Sequence, residues 1–329
     1  MRKYIFKRLL LSIGILFVVS FIMYVIMRSI PTSYVESIAR ERSNIPGSKS
    51  YAEWLAQLNA VYGLDLGIVP GFFRWLGSAI RGNFGDSWLY GVPVTQKFAD
   101  VIWYSFVLAM VAFVLELVIS IPLGILSARK QYSRTDYAVT VVALIGISLP
   151  TFFFATLLKL GFSIKLGWFD LYGIVGRYHE QLDAFGKIMD MAKHMILPVA
   201  TLVIISIGAL MRYTRTNMLE VLNSDYIRTA RAKGLSENRV IHYHAFRNTL
   251  IPIVTIIGGS LPGLFAGAMI TETLFQIPGI GWTSYKAMVS GDIPFSMFYL
   301  VFLAALTLLG TLIADILYAV VDPRVRVSS

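Results

Sequence analysis

Two acidic side chains stand inside stretches that otherwise carry no charge: Glu116 in the apolar run 101–126 and Asp315 in the run 293–321. An ionisable group at bilayer depth is costly and by default marks a function. Roughly ten helical residues, about 15 Å, separate Glu116 from the inner end of its run, which is close to mid-membrane. There it can meet a positive group in transit, or it can stay protonated or internally hydrogen-bonded within a bundle. Asp315 lies nearer the cytoplasmic end and suits pairing with a loop arginine. Gly259, Gly263 and Gly267 recur every four residues. On one helix they form a stripe that a second helix can approach closely, within the chain, from another chain or along a pathway wall. Pro252 and Pro262 free backbone carbonyls in the same run, as a kinked, cavity-lining helix requires. His242 and His244 are two residues apart, share no helix face and read as surface residues rather than metal ligands. The chain has no cysteine, which excludes disulfides, zinc thiolates and iron–sulfur clusters. It also has no Gly-x-x-x-x-Gly-Lys-Ser/Thr loop and no His-Glu-x-x-His or paired-aspartate site in its apolar runs. ATP binding by that motif and intramembrane hydrolysis are therefore not expected.

These residues need a lipid-embedded frame. Of 329 residues 56% are hydrophobic and 15% charged, against about 25% charged in an ordinary soluble domain. A bilayer core asks for about 20 consecutive apolar residues per helix. Six runs meet or approach this: 9–27, 101–126, 137–158, 195–211, 249–271 and 293–321. Each must be helical, because lipid offers no partner to a free backbone amide. The expected fold class is an all-α membrane protein with six transmembrane helices.

The net charge of +10 reads as orientation rather than as a nucleic-acid footprint. Basic residues gather before the first run (Arg2, Lys3, Lys7, Arg8), after the second (Arg129, Lys130, Arg134) and after the fourth (Arg212, Arg215, Arg228, Arg231, Lys233, Arg239, Arg247). Arg324 and Arg326 lie at the C-terminal end, and the intervening segments are nearly neutral. The positive-inside rule then puts both termini and the 212–248 loop in the cytoplasm. Ser37-Ile38-Ala39 offers a signal-cleavage pattern. The first run is longer than a signal h-region and ends well before that site, so residues 1–28 read as a signal-anchor helix. Residues 29–100 form an outer loop too long for a simple connector. Within it, 51–62 reads as an amphipathic helix with Trp54, Leu55, Leu58 and Val61 on one face. Residues 101–329 are the five-helix core.

The 212–248 loop holds a compact pattern. The fourth helix continues past the membrane to Leu222, and Asn223-Ser224-Asp225 offers capping side chains. A short helix follows (Tyr226, Ile227, Arg228, Thr229, Ala230, Arg231, Ala232, Lys233), closed by Gly234 in a left-handed conformation. Leu235 and a capping Ser236 open another amphipathic stretch through Val240, Ile241 and Phe246. Small residues admit a partner's backbone and arginines pair with its acidic groups. A basic loop of this kind is equally attracted to anionic lipid headgroups.

The segment Asp225-Tyr226-Ile227-Arg228-Thr229-Ala230-Arg231-Ala232-Lys233-Gly234-Leu235, with His244-Ala245-Phe246-Arg247-Asn248 and Pro252, resembles the EAA loop of ABC-importer permeases. It is most similar to the first permease subunit of the oligopeptide, dipeptide and nickel branch, where Arg228 replaces the glutamate of the general pattern. Further matches run in order along the chain: Tyr62-Gly63-Leu64-Asp65, Arg74-Trp75-Leu76, Gly82-Asn83-Phe84-Gly85, Ile121-Pro122-Leu123-Gly124, Ser148-Leu149-Pro150, Lys165-Leu166-Gly167-Trp168, Glu272-Thr273-Leu274-Phe275 and Pro278-Gly279-Ile280-Gly281. Glu116, Lys159, Trp282 and the 172–193 loop depart from the family pattern.

The resemblance implies a type I ABC importer permease fold in a bacterial or archaeal cytoplasmic (inner) membrane. It implies a transport subunit rather than an enzyme, with no cofactor of its own. ATP and Mg are bound by two partner ATPases, a second homologous permease completes the pathway, and an extracytoplasmic binding protein delivers peptide. Residues 225–234 would be the coupling helix that docks in the ATPase, and Glu116, Gly259, Gly263, Gly267 and Glu272 the pathway or helix-contact candidates. Membrane lipid is the remaining partner and nucleic acid is not one. A nickel-chelate or dipeptide importer permease is the nearest alternative. A proton-coupled secondary transporter using Glu116 and Asp315 is another, although such folds usually show internal repeats, and none is visible here.

Overall fold

The computed structural model describes residues 2–29, 34–61 and 63–321, without the side chains of 2–5, 251–252 and 318–321. Asp322, Arg324, Arg326, Tyr62 and the side chains of Arg2, Lys3 and Pro252 carry parts of the orientation, cap and kink expectations. They lie outside the described residues.

In chain order the helices are α1 (Arg2–Ser29), α2 (Tyr34–Ser43), α3 (Tyr51–Val61), α4 (Ile68–Ala79), α5 (Val94–Arg129), α6 (Arg134–Ser148), α7 (Thr151–Leu158), α8 (Ala184–Leu222), α9 (Asp225–Ala232), α10 (Glu237–Arg239), α11 (Phe246–Ser260), α12 (Met269–Phe275), α13 (Ile280–Val289) and α14 (Ile293–Val321). Wider π-helical turns at Lys159–Lys165 and Val240–Ala245 continue α7 and α10, and a 3-10 turn at Leu261–Phe265 continues α11. Among the described residues no strand forms beyond an isolated bridge between Asp86 and Pro93.

Helices α1, α5, α8 and α14 are each long and apolar enough to cross a bilayer, and the count reaches six if two bent pairs are single spans. The third expected span is not one straight helix. Arg134–Ser148 and Thr151–Lys165 meet at 106°. Pro150 removes a backbone donor and pushes its predecessor out of the helical region, and Leu149 is extended at φ −89° and ψ 133°. The fifth is also corrected. Glu237–Leu250 and Ile253–Phe265 are bent by 48°, and the helix is over before Gly267, whose φ is +83°. The fourth, short in the sequence, is a 39-residue helix.

The chain forms two compact units, Met1–Trp103 with Gly279–Leu309 and Tyr104–Pro278 with Gly310–Ser329. In the first, Phe72 of α4 is fully buried against Tyr24, Met27 and Met297. Its ring meets Phe21 edge-on at 5.0 Å and Phe17 at 5.6 Å, geometries that aromatic quadrupoles favour. The segment after α1 packs α2 on α3 through Val35, Ala39 and Leu58, with Trp54 and Leu55 beside them. Val61, expected on that buried face, is 70% exposed. Asp292 ties this unit together by accepting from Ser87 Oγ, Leu89 N (3.1 Å) and Phe295 N (3.2 Å). Beside it Tyr90 donates to Thr283 O at 3.0 Å, and burial together with the Asp292 carboxylate pushes its hydroxyl up to about 12.

In the second unit α6 lies against α8 with almost no side-chain spacing. A Cβ on Gly208 would stand 2.5 Å from Ala143 O, and one on Gly146 would strike Ile204 O. Gly124 of α5 is similarly constrained, since a Cβ would lie 2.8 Å from Met211 O and 2.7 Å from Thr214 Cβ. Glycine at helix crossings lets backbones approach where lipid supplies no hydrophobic drive to pack. These three form the close crossings to α8.

Candidate functional site

The sequence singles out α9, and the structure gives it two faces. Ile227 is fully buried and Ala230 is 6% exposed. Both pack against Ile125, Ala128, Met218, Val240, Ile241 and Ala245. Asp225, Tyr226, Arg228, Thr229, Arg231, Ala232 and Lys233 are exposed. The helix is thus seated on its own chain through positions 227 and 230, three apart on one side, and shows the opposite side to solvent. The expectation that Ala230 admits a partner's backbone is corrected: its methyl faces the chain's own core. Thr229 and Ala232 are the small residues on the open side.

The ends of α9 follow the expected boundaries with different chemistry. Ser224 is the N-cap, but its hydroxyl donates back to Val221 O at 2.6 Å instead of accepting from the helix. At the other end Gly234 has φ +73°, and its amide donates to Arg231 O at 2.9 Å. A Cβ on Gly234 would meet nothing within 4 Å, so its requirement is conformational alone. Arg231 makes a two-pronged pair with Glu237 at 2.8 and 3.2 Å, which joins α9 to α10. Ser236 precedes α10 without a side-chain cap bond. Val240 and Ile241, on the expected amphipathic stretch, are buried in the same core as Ile227.

Behind this seat lies a buried ion pair that sequence reasoning did not single out. Arg215 reaches Asp136 with Nε and Nη2, both at 2.8 Å. The Asp136 side chain is 4% exposed. The carboxylate also accepts from Ser127 Oγ and from Tyr132 N at 2.9 Å. One carboxylate therefore links the end of α5, the start of α6 and the C-terminal half of α8. Its only signal in the sequence was an acid amid a basic loop, which charge counting treats as noise.

The pathway candidates do not come together into one constellation. Glu116 is half-buried on α5, near Ser206 of α8, whose hydroxyl donates to Leu202 O at 2.9 Å. Glu272 is fully buried; its Oε1 accepts from Ser105 Oγ at 2.7 Å and from Ala268 N at 2.9 Å, so it caps its own helix α12 and ties it to α5. Gly259 lies against α14, where a Cβ would stand 3.3 Å from Ala314 Cβ, while one on Gly263 would meet nothing within 4 Å. With Gly267 beyond the helix, the three glycines share no single helical face. Lys159, a departure noted in the sequence, is 9% exposed. It donates to Leu274 O at 2.6 Å and sits 3.9 Å from the Tyr172 ring centroid.

In the 172–193 loop His179 Nδ1 lies 2.7 Å from Asp190 Oδ2, and His194 Nδ1 lies 2.8 Å from Asp190 O. Among the described residues no group of His, Cys, Asp or Glu could hold a metal ion.

Residues 120–327 match the family model described as binding-protein-dependent transport system inner membrane component. The chain is 38% identical to the oligopeptide transport system permease protein AppB of Bacillus subtilis, over 99% of this chain and 100% of that one. It is 36% identical to the oligopeptide transport system permease protein OppB of Haemophilus influenzae, again over 99% and 100%. The di/tripeptide transport system permease protein DppB of Pseudomonas aeruginosa is 34% identical over 99% of both chains. Among solved structures, the inward-facing methionine ABC transporter MetNI gives a TM-score of 0.54 at 15% identity. That likeness covers 69% of this chain and 97% of that one, and it bears on the fold.

Proposed function

The chain belongs to the inner membrane components of binding-protein-dependent transport systems, and from that premise we propose that it imports oligopeptides by coupling a cytoplasmic ATPase to its own spans through α9. It is a multi-pass permease subunit with the type I ABC importer fold, not an enzyme. ATPase and binding-protein partners follow from the family. The finer picture is our reading: a second related permease shares the pathway, two ATPases bind ATP and Mg, and both termini and the 212–248 loop face the cytoplasm. Residues 29–100 form the outer cap.

The observation that carries the coupling role is the seating of α9. A helix that is to transmit motion must be fixed to the spans on one side and free to dock on the other. Ile227 and Ala230 fix α9 to a core shared by α5, α8 and the turn leading into α11, and its remaining residues face outward. Peptide cargo is favoured by the transport named for the relatives.

The test is uptake of a labelled oligopeptide by proteoliposomes holding this chain, its second permease, the ATPases and the binding protein. Uptake should require ATP and binding protein and should persist when the proton gradient is collapsed. Uptake without ATPase subunits, driven by the proton gradient, would overturn the proposal in favour of secondary transport.

A further inference from the structure

A cavity of about 270 Å³ lies in the first unit, beside the last turn of α1. Its lining carries two guanidinium groups, Arg28 and Arg74, with Trp75, Asn83 and Ser78 among the other polar residues. Arg28 spends Nη2 on Leu64 O (2.9 Å) and Leu66 O (2.8 Å), which fixes its plane and leaves Nε and Nη1 for another acceptor. Arg74 is exposed beside Gly63, 3.6 Å from where a Cβ there would lie. The Trp75 ring lines the cavity, while its indole N–H is closed off from solvent and without a hydrogen-bond partner. Asn83 Oδ1 accepts from Gly85 N at 2.9 Å, so its amide donors remain. No carboxylate lines the cavity among the described residues. Three carboxylates adjoin lining residues in sequence: Asp65 and Asp86 are exposed, and the buried Asp292 is taken up by Ser87 Oγ, Leu89 N and Phe295 N.

We propose that this cavity binds the phosphate of an anionic membrane lipid. The donor set, two guanidiniums and a side-chain amide, selects a compact anion. The volume is below that of pockets that enclose drug-sized ligands, so it suits a headgroup rather than a peptide. Its placement selects lipid over a soluble anion. The cavity stands where an apolar helix ends, next to Ile293 and Pro294 at the start of another apolar helix, α14. Tyr24, Trp75 and Trp88 line it, and such residues mark the headgroup level of a bilayer. Along α1 the side chains of Ile22 and Ile26 are about half exposed, leaving an apolar surface for an acyl chain.

The experiment uses the full chain purified in mild detergent and stripped of lipid. Phosphatidylglycerol, phosphatidylcholine and inorganic phosphate are titrated in parallel, with bound lipid counted by native mass spectrometry. One phosphatidylglycerol should bind in preference to phosphatidylcholine. R74Q should weaken it about fivefold, the effect of one interfacial arginine, and R74K should restore most of the loss. N83D can keep the bond to Gly85 N while adding a negative charge to the lining, and it should weaken binding without lowering the melting temperature. Equal retention of both lipids by the parent, or no effect of R74Q and N83D, overturns the proposal. Displacement of phosphatidylglycerol by equimolar inorganic phosphate also overturns it, assigning the cavity to free phosphate.

Discussion

Asp136 shows how much of the packing among α5, α6 and α8 rests on one side chain. Its carboxylate is buried and satisfied by Arg215, Ser127 and Tyr132 N. Removing one partner of a buried pair leaves an uncompensated charge, at a cost of about 3 kcal/mol or more. Arg215→Ala should therefore lower the thermal stability of the detergent-solubilised chain markedly, and a melting curve unchanged from the parent would remove Asp136 from its structural role. Gly234 is a different case. Nothing obstructs a side chain there, so Gly234→Val should cost about 1 kcal/mol or more through its left-handed backbone alone. It should leave the chain inserted while reducing peptide uptake per ATP hydrolysed; unchanged coupling would show that the exit angle of α9 does not matter. Glu116 was legible from the sequence as an intramembrane acid, but its neighbour Ser206 was not, because 90 residues separate them and only the fold brings α5 to α8. If Glu116 recognises a positive group on the cargo, Glu116→Gln should weaken uptake of some peptides more than others. A uniform loss with poor expression would mean that the carboxyl serves the packing of the bundle alone.

Among the elements, those with strong local punctuation were the ones the sequence placed well. The extension of α8 to Leu222 and the helix from Asp225 to a left-handed Gly234 both agree with expectation, since their ends are set by nearby residues. Two apolar runs misled for one physical reason: hydropathy measures lipid compatibility and says nothing about direction. The run through Pro150 turns by 106°, and the run through Gly267 has left the helix before that residue. The two faces of α9 were also hidden, because an alternation of small, apolar and basic residues does not say which side is covered; Ile227 and Ala230 become the buried pair only against Met218 and Ile241. The close crossing of α6 and α8 yields a test at this scale. Gly208→Leu should force the helices apart at Ala143 O and Ile147 and lower expression of folded chain. Folding with parental yield and stability would contradict the spacing.

At the scale of the whole molecule, apolar composition and the distribution of lysine and arginine were enough to indicate a polytopic membrane protein, while the division into two units could not be read from a linear sequence. Orientation is directly testable because the chain lacks cysteine. Cysteines placed singly at Ser50 and Ser236 should label from opposite sides of the membrane; labelling of both from outside would end the proposed topology. The central claim is that α9 docks on the ATPase with the face turned away from its own chain. The most direct measurement pairs two substitutions on that helix, scored for co-purification of the ATPases and for ATP-driven peptide uptake. Ala232→Trp enlarges the exposed face and should abolish co-purification or uptake while leaving the melting temperature of the chain unchanged. Ala230→Asp places a charge in the chain's own core and should lower that melting temperature. The account is contradicted if Ala232→Trp assembles and transports like the parent, for then the open face of α9 touches nothing that matters.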